Sequence, residues 1–110
     1  MNSRPKTYHH FWPYYLGQHS LRRTRAIHYV GTTIALVCIL LSLGLWDGWY
    51  LIGAAVGGYA PAWYAHFFIQ KNRPATFRYP LWSLFSDFRM YFMWIANTLE
   101  PELRRAGCID

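Results

Sequence analysis

Charge is scarce in this chain, and acidic charge scarcer still. Charged side chains make up 15% of 110 residues, with five Asp or Glu against eleven Lys or Arg. A soluble globular domain carries about 25% charged residues, so the composition speaks against an ordinary water-facing globule. Between Arg25 and Lys71 the one charged residue is Asp47. Cysteine is nearly absent as well. Cys38 and Cys108 lie too far apart in sequence to suggest a zinc knot or a disulfide, and Cys38 reads as a small apolar residue. There is no nucleophile elbow, phosphate-binding glycine loop or dinucleotide fingerprint, no internal repeat and no low-complexity tract. A signal peptide is a poor reading of the first apolar run, because no small-residue cleavage site follows it and a second run comes next.

What is present is grease and aromatic rings. The chain is 54% hydrophobic and 20% aromatic, with Tyr and Trp near the ends of the apolar stretches, as at a membrane–water interface. Two uncharged stretches, Tyr29 to Trp46 and Trp49 to Ile69, are separated only by Asp47-Gly48. At about 1.5 Å per residue each approximates a ~30 Å hydrocarbon layer, and so short a turn folds them back on each other. The fold expected is all-α: a single domain (1–110) built on an integral membrane helical hairpin with flanking interfacial helices. The segments are an interfacial helix over 7–20, transmembrane helices over 25–46 and 49–70, and an interfacial or shallow membrane helix over 84–99. Residues through about Lys6 read as a disordered tail. Pro13 starts or kinks the first helix, Thr24 can cap the second, Ser83 or Ser86 can cap the last, and Pro101-Glu102 ends it before a solvated tail.

Placement of the basic residues orients the hairpin. Arg4, Lys6, Arg22, Arg23 and Arg25 precede the first arm, and Lys71, Arg73 and Arg78 follow the second. By the positive-inside rule both termini face the cytoplasm, consistent with a bacterial inner membrane. Nucleic-acid binding is disfavoured, since uncharged arms occupy the place of a reading surface. Homo-oligomerisation is left open.

Three histidines stand at one end of this hairpin. His28 opens the first arm, His66 lies near the end of the second, and His19 is just upstream. In the first arm His28, Gly31, Ala35, Cys38 and Ser42 form a stripe of small residues; in the second Ala54, Gly58, Ala62 and His66 form a matching ridge. Small residues let membrane helices approach closely, so facing ridges bring the two imidazoles together. Pro61 is expected to kink the second arm one turn before His66. An ionisable group at membrane depth marks function by default, and imidazole suits iron, zinc and copper alike. Asp87 is the acidic residue placed to be a further ligand or to orient one. Gln70, four residues after His66, shares its helix face and can fix an imidazole tautomer. Arg73 and Arg78 can hold an anionic group or simply set topology. His9 and His10 precede Pro13 in a region expected to be mobile.

The runs Phe11-Trp-Pro-Tyr-Tyr-Leu-Gly-Gln-His19, Arg25-Ala-Ile-His28-Tyr-Val-Gly31, His66-Phe-Phe68 and Lys71-Asn-Arg-Pro-Ala-Thr-Phe77, with Pro80-Leu-Trp-Ser83 and Asp87-Phe-Arg-Met90, carry a resemblance. The sequence resembles the 2-hydroxy fatty acid dioxygenases and their bacterial relatives, a family of small membrane proteins, over about residues 11–91. That resemblance implies an Fe(II)-dependent, oxygen-consuming step of fatty acid α-oxidation that shortens a 2-hydroxy fatty acid by one carbon. It implies iron ligation by His19, His28 and His66. On the residues' own placement Asp87 and Gln70 are the candidate catalytic residues, and the basic Arg25, Lys71 and Arg73 are placed to attract a substrate carboxylate. Gln70 stands where many relatives have glutamate, and the chain is shorter than the eukaryotic enzymes. Two other readings are a non-catalytic membrane module that binds lipid or a partner protein, and haem held between two histidines.

Overall fold

The computed structural model describes residues 5–108; the expected amino-terminal tail falls mostly outside them, and Pro5 is already buried. Among the described residues all regular structure is helical: α1 (Tyr8–Gly17), α2 (Arg22–Leu45), α3 (Trp49–Tyr64), α4 (Pro80–Ile95) and α5 (Leu99–Arg105). The α3 backbone runs on into a π-helical turn, Ala65–Gln70, and a short 3₁₀ turn, Ala75–Phe77, precedes α4.

Helices α2 and α3 pack side by side and antiparallel, with Cys38 beside Gly53 and Gly31 beside Gly58. The small residues explain the closeness: a Cβ on Gly31 would stand 2.7 Å from the Gly58 carbonyl oxygen and 3.2 Å from that of Gly57. Spanning length is another matter. Among the described residues one helix, α2, is long and apolar enough to cross a membrane. The two spanning helices expected over 25–46 and 49–70 therefore reduce to one candidate span and a shorter partner. α3 has 16 α-helical residues, roughly 24 Å at 1.5 Å per residue, and reaches further only through the π-turn.

Several local expectations give way to packing. α1 buries its apolar face within the protein and leaves His9, His10 and Pro13 exposed. Its Phe11, Trp12, Tyr15 and Leu16 are buried in a core completed by Tyr29, Met90, Tyr91, Leu99 and Leu103. Thr7 caps α1 through its side chain, which leaves Pro13 inside the helix. α2 begins before Thr24, so that hydroxyl caps nothing; it is buried without a hydrogen-bond partner. α4 begins at Pro80, whose fixed φ and missing N–H suit a first helical turn. Ser86 instead bonds the Tyr8 hydroxyl at 2.8 Å. The last helix does not run on to Pro101. It stops at Ile95, the chain turns through Asn97 in the left-handed region (φ 66), and α5 follows. Pro101 sits in the first turn of α5, where its absent N–H costs nothing. Acidic Glu100 and Glu102 at the start of α5 and basic Arg104 and Arg105 at its end complement the helix dipole. Trp12 Nε1 donates to Glu102 at 2.9 Å, tying α5 to α1.

The molecule thus has two chemically different ends. α1, α4, α5 and the start of α2 enclose an aromatic core. The hairpin beyond it exposes Val37, Leu40, Leu43, Trp46, Trp49, Ile52 and Val56 outwards. An apolar exterior of that extent marks an interaction with another apolar phase or surface.

Candidate metal centre

Three elements deliver the three histidines. His19 follows α1, His28 is in the second turn of α2, and His66 is in the π-turn after α3. All are buried, at 1%, 5% and 2% exposure. Their ligand atoms lie within 4.8 Å of one another. The sequence-based juxtaposition of His28 and His66 is found, with His19 between them: ring centroids are 4.9 Å apart for His19–His28 and 4.5 Å for His19–His66.

Hydrogen bonding fixes which nitrogens are free. His19 Nδ1 faces the Tyr15 carbonyl at 2.8 Å, and a carbonyl only accepts, so Nδ1 carries the proton. His66 Nδ1 faces Asn72 Oδ1 at 2.7 Å, and the Asn72 amide is oriented by donating its Nδ2 to the Gln18 carbonyl at 3.1 Å. Both neutral rings therefore present a bare Nε2 lone pair, and these two atoms stand 3.0 Å apart. Without a proton to share, that contact is repulsive rather than a hydrogen bond. Burial, followed by His28 and His66, holds the His19 imidazole well below its ordinary protonation range, so protonating His19 does not relieve the contact. A cation between the two rings does.

His28 is the third member of the cluster. Its Nε2 lies 3.3 Å from Asp87 Oδ1, while its Nδ1 is buried with no hydrogen-bond partner. Asp87 Oδ1 also accepts from the Tyr15 hydroxyl. Burial raises the Asp87 carboxyl to about 7 against the lowering effect of that hydrogen bond. Burial and then Asp87 raise the Tyr15 phenol, which keeps its proton. The result is a buried carboxylate paired with one histidine of the cluster, a contact of the kind that orients metal ligands.

Around the three rings is a hole of roughly 10 Å³, also lined by Tyr59, Trp63, Ser83 and Asp87. That is about one water-sized sphere, the scale of a single ion. Trp63 Nε1 and Ser83 Oγ are buried at it without partners. The donor set fits a metal: three imidazoles, two with their far nitrogens hydrogen-bonded and one paired with a carboxylate. Haem does not fit, because three rings this close leave no room for a macrocycle.

The remaining site candidates fall elsewhere. Gln70 does not touch His66; its Nε2 donates to Ser20 Oγ at 2.7 Å and its Oε1 accepts from the Leu21 N–H at 3.2 Å. The tautomer-fixing part expected of it belongs to Asn72. Arg25 is buried and turned inwards, its Nη1 donating to the His19 carbonyl at 2.8 Å and the Ser20 carbonyl at 2.9 Å. It braces the loop that carries His19. Lys71, Arg73 and Arg78 are exposed, as are His9 and His10, which stand on α1 away from the three-histidine cluster. Sequence reasoning missed Asn72, Tyr15, Trp63 and Ser83 as site residues. The runs Lys71-Asn-Arg-Pro and Pro80-Leu-Trp-Ser contain two of them, but nothing in their spacing marks a ligand shell.

A family model described as 2-hydroxy-palmitic acid dioxygenase Mpo1-like matches residues 5–99. The chain belongs to the Mpo1-like family. That match takes in all three histidines together with Asn72 and Asp87. No curated protein and no solved structure matches the chain. The family's description suggests a dioxygenase-like role in lipid metabolism, and the three-histidine cluster is one that could hold a metal ion.

Proposed function

We propose that this protein is a membrane-embedded, Fe(II)-dependent dioxygenase that shortens 2-hydroxy fatty acids by one carbon. One observation carries the reading: two uncharged Nε2 lone pairs held 3.0 Å apart, with a ligand nitrogen of a third buried histidine, His28, within 4.8 Å of them. Among the chemistries such a cluster can support, family membership favours this one.

His19, His28 and His66 would hold the iron. Bound there, ferrous iron supplies the redox chemistry by which one dioxygen accepts the four electrons released as a 2-hydroxy acid becomes carbon dioxide and the shorter acid, with water as the third product. The protein's own residues prepare the place. Tyr15 and Asn72 keep the Nδ1 protons of His19 and His66 on the far side of each ring, and Asp87 turns His28 inwards. The aromatic rings of Tyr59 and Trp63 keep bulk water from the centre. Trp63 Nε1 and Ser83 Oγ are donors positioned for an oxygen atom of substrate or dioxygen.

The apolar exterior supports placement in a bilayer, with α2 spanning and the histidine end near the cytoplasmic headgroups. A fatty acid carboxylate partitions to that depth, and Lys71 and Arg73, both exposed after the π-turn, would attract it. Substrate thus arrives from the leaflet rather than from water.

Anaerobic purification in mild detergent followed by metal analysis tests the assignment. About one iron per chain, lost in His28→Ala and His66→Ala, and oxygen uptake with 2-hydroxypalmitate are expected. A metal-free protein whose histidines can be replaced without loss beyond stability favours a non-catalytic membrane module instead.

A further inference from the structure

A groove of about 310 Å³ opens beside the metal centre, between α2, α3 and α4. His28 and Asp87 line both the groove and the small hole among the histidines, so the two spaces meet at those side chains. Away from them, beyond Thr32 and Tyr59, the walls are apolar. The groove passes Ala35 on α2 and reaches Ile39, with Ala54 of α3 facing it and Leu84 of α4 along its open side. One end is therefore polar, at His28 and Asp87; the other is hydrocarbon-like.

We propose that this groove holds the hydrocarbon chain of a single fatty acid, carboxyl end at the histidines, and that Ile39 and Ala54 set the longest chain accepted. The proposal rests on the dioxygenase reading for the identity of the head group. Its geometry is independent of that reading. From His28 to Ile39 the groove follows eleven residues of helix, roughly 16 Å at 1.5 Å per residue. That is about half of a ~30 Å hydrocarbon layer, the depth of one leaflet. A chain whose carboxyl lies at the headgroups therefore ends where the groove ends. A helix from a second copy is excluded by width, since a helix with its side chains is about 10–12 Å across and a stretch of the groove's length far exceeds its volume. Leu84 is 43% exposed, so the open side faces lipid and a chain can enter laterally.

The test uses the full chain in phosphatidylcholine nanodiscs with 2-hydroxy acids of eight, twelve and sixteen carbons. Ile39→Trp fills the far end. It is expected to lower turnover of the sixteen-carbon acid at least tenfold relative to the eight-carbon acid, with iron content and helix content unchanged. Equal loss at every chain length overturns the proposal. A second measurement needs neither the variant nor turnover: 2-hydroxypalmitate carrying a diazirine at its terminal carbon is photolysed with the wild-type chain, and labelled peptides are mapped. Label on the 35–39 and 54–58 segments, displaced by unlabelled 2-hydroxypalmitate, supports the groove even if the chain consumes no oxygen, a result that would sink the dioxygenase reading alone. Label elsewhere, or equal labelling by a diazirine phosphatidylcholine, overturns the groove even if oxygen uptake is brisk.

Discussion

Asn72 grips His66 at both ends of the residue. Its backbone N–H donates to the His66 carbonyl at 2.8 Å, and its side-chain oxygen meets His66 Nδ1 at 2.7 Å. The same amide reaches across to the Gln18 carbonyl at 3.1 Å, beside His19. One residue therefore sets the tautomer of one histidine and the position of the loop bearing another. Loss of such a partner behind a metal ligand costs about 10–100-fold in metal affinity. Asn72→Ala is expected to weaken iron binding by that order while helix content holds, measured by competition with a chelator of known affinity. Unchanged affinity would show that the His66 ring is held by packing alone.

Asp87 and Tyr15 act on His28 as a pair. Asp87→Asn replaces the acceptor beside His28 with an amide, and Tyr15→Phe removes the hydroxyl that holds the carboxylate in place. Each substitution is expected to lower metal affinity, Asp87→Asn the more strongly. Because they share one carboxylate oxygen, the double variant should lose less than the two single losses combined. Strict additivity in a double-mutant cycle on metal affinity would place the two residues in separate roles.

Much of the centre was legible in the sequence because membrane helices leave few polar residues to choose among. With one charge between Arg25 and Lys71, His28 and His66 stand out, and the Gly31 and Gly58 ridges dictate how their helices meet. The residues behind the ligands were not legible. Tyr15 acts through a carbonyl and a hydroxyl that no periodicity distinguishes. Gln70 has a helical spacing to His66 only if the backbone stays α-helical, and there it is π-helical. What covers α1 was not legible either: its apolar face is real, but hydrophobic pattern alone does not say that α4 and α5 pack on it. The second arm likewise has the composition of a span, but composition does not show that its sixteen α-helical residues run on as a π-turn.

Glycines of the hairpin should differ sharply in tolerance. Gly31→Ala drives a methyl into the Gly58 carbonyl at 2.7 Å, a backbone atom that cannot turn aside. Overpacking of this kind costs about 1–3 kcal/mol, and here it also separates His28 from His66. At Gly44 an added Cβ meets nothing within 4 Å, so Gly44→Ala should gain about 0.5–1 kcal/mol from helix propensity. Thermal unfolding in one detergent should rank Gly44→Ala above wild type and Gly31→Ala below it, with iron lost only from the latter. Equal melting of the two variants would mean that the helices are not in contact at Gly31.

The π-turn gives the most direct test of how the centre is assembled. Single π-turns inside α-helices occur frequently at functional sites, and this one carries His66 and ends at Lys71 in the left-handed region, φ 64. Its extra residue delays the helix end, which lets the Asn72 N–H reach back to the His66 carbonyl. Deleting Phe68, whose ring is 64% exposed, removes one residue and lets the segment return to α-helix. The deletion should preserve or raise helix content, because the regular hydrogen-bond ladder is restored. It rotates everything after it by about 100°, one residue of a 3.6-residue turn, carrying Asn72 off the His66 ring. Iron content and oxygen uptake should then fall together in a chain that still folds. Full iron occupancy in the deletion variant would mean that His66 finds its place without the π-turn.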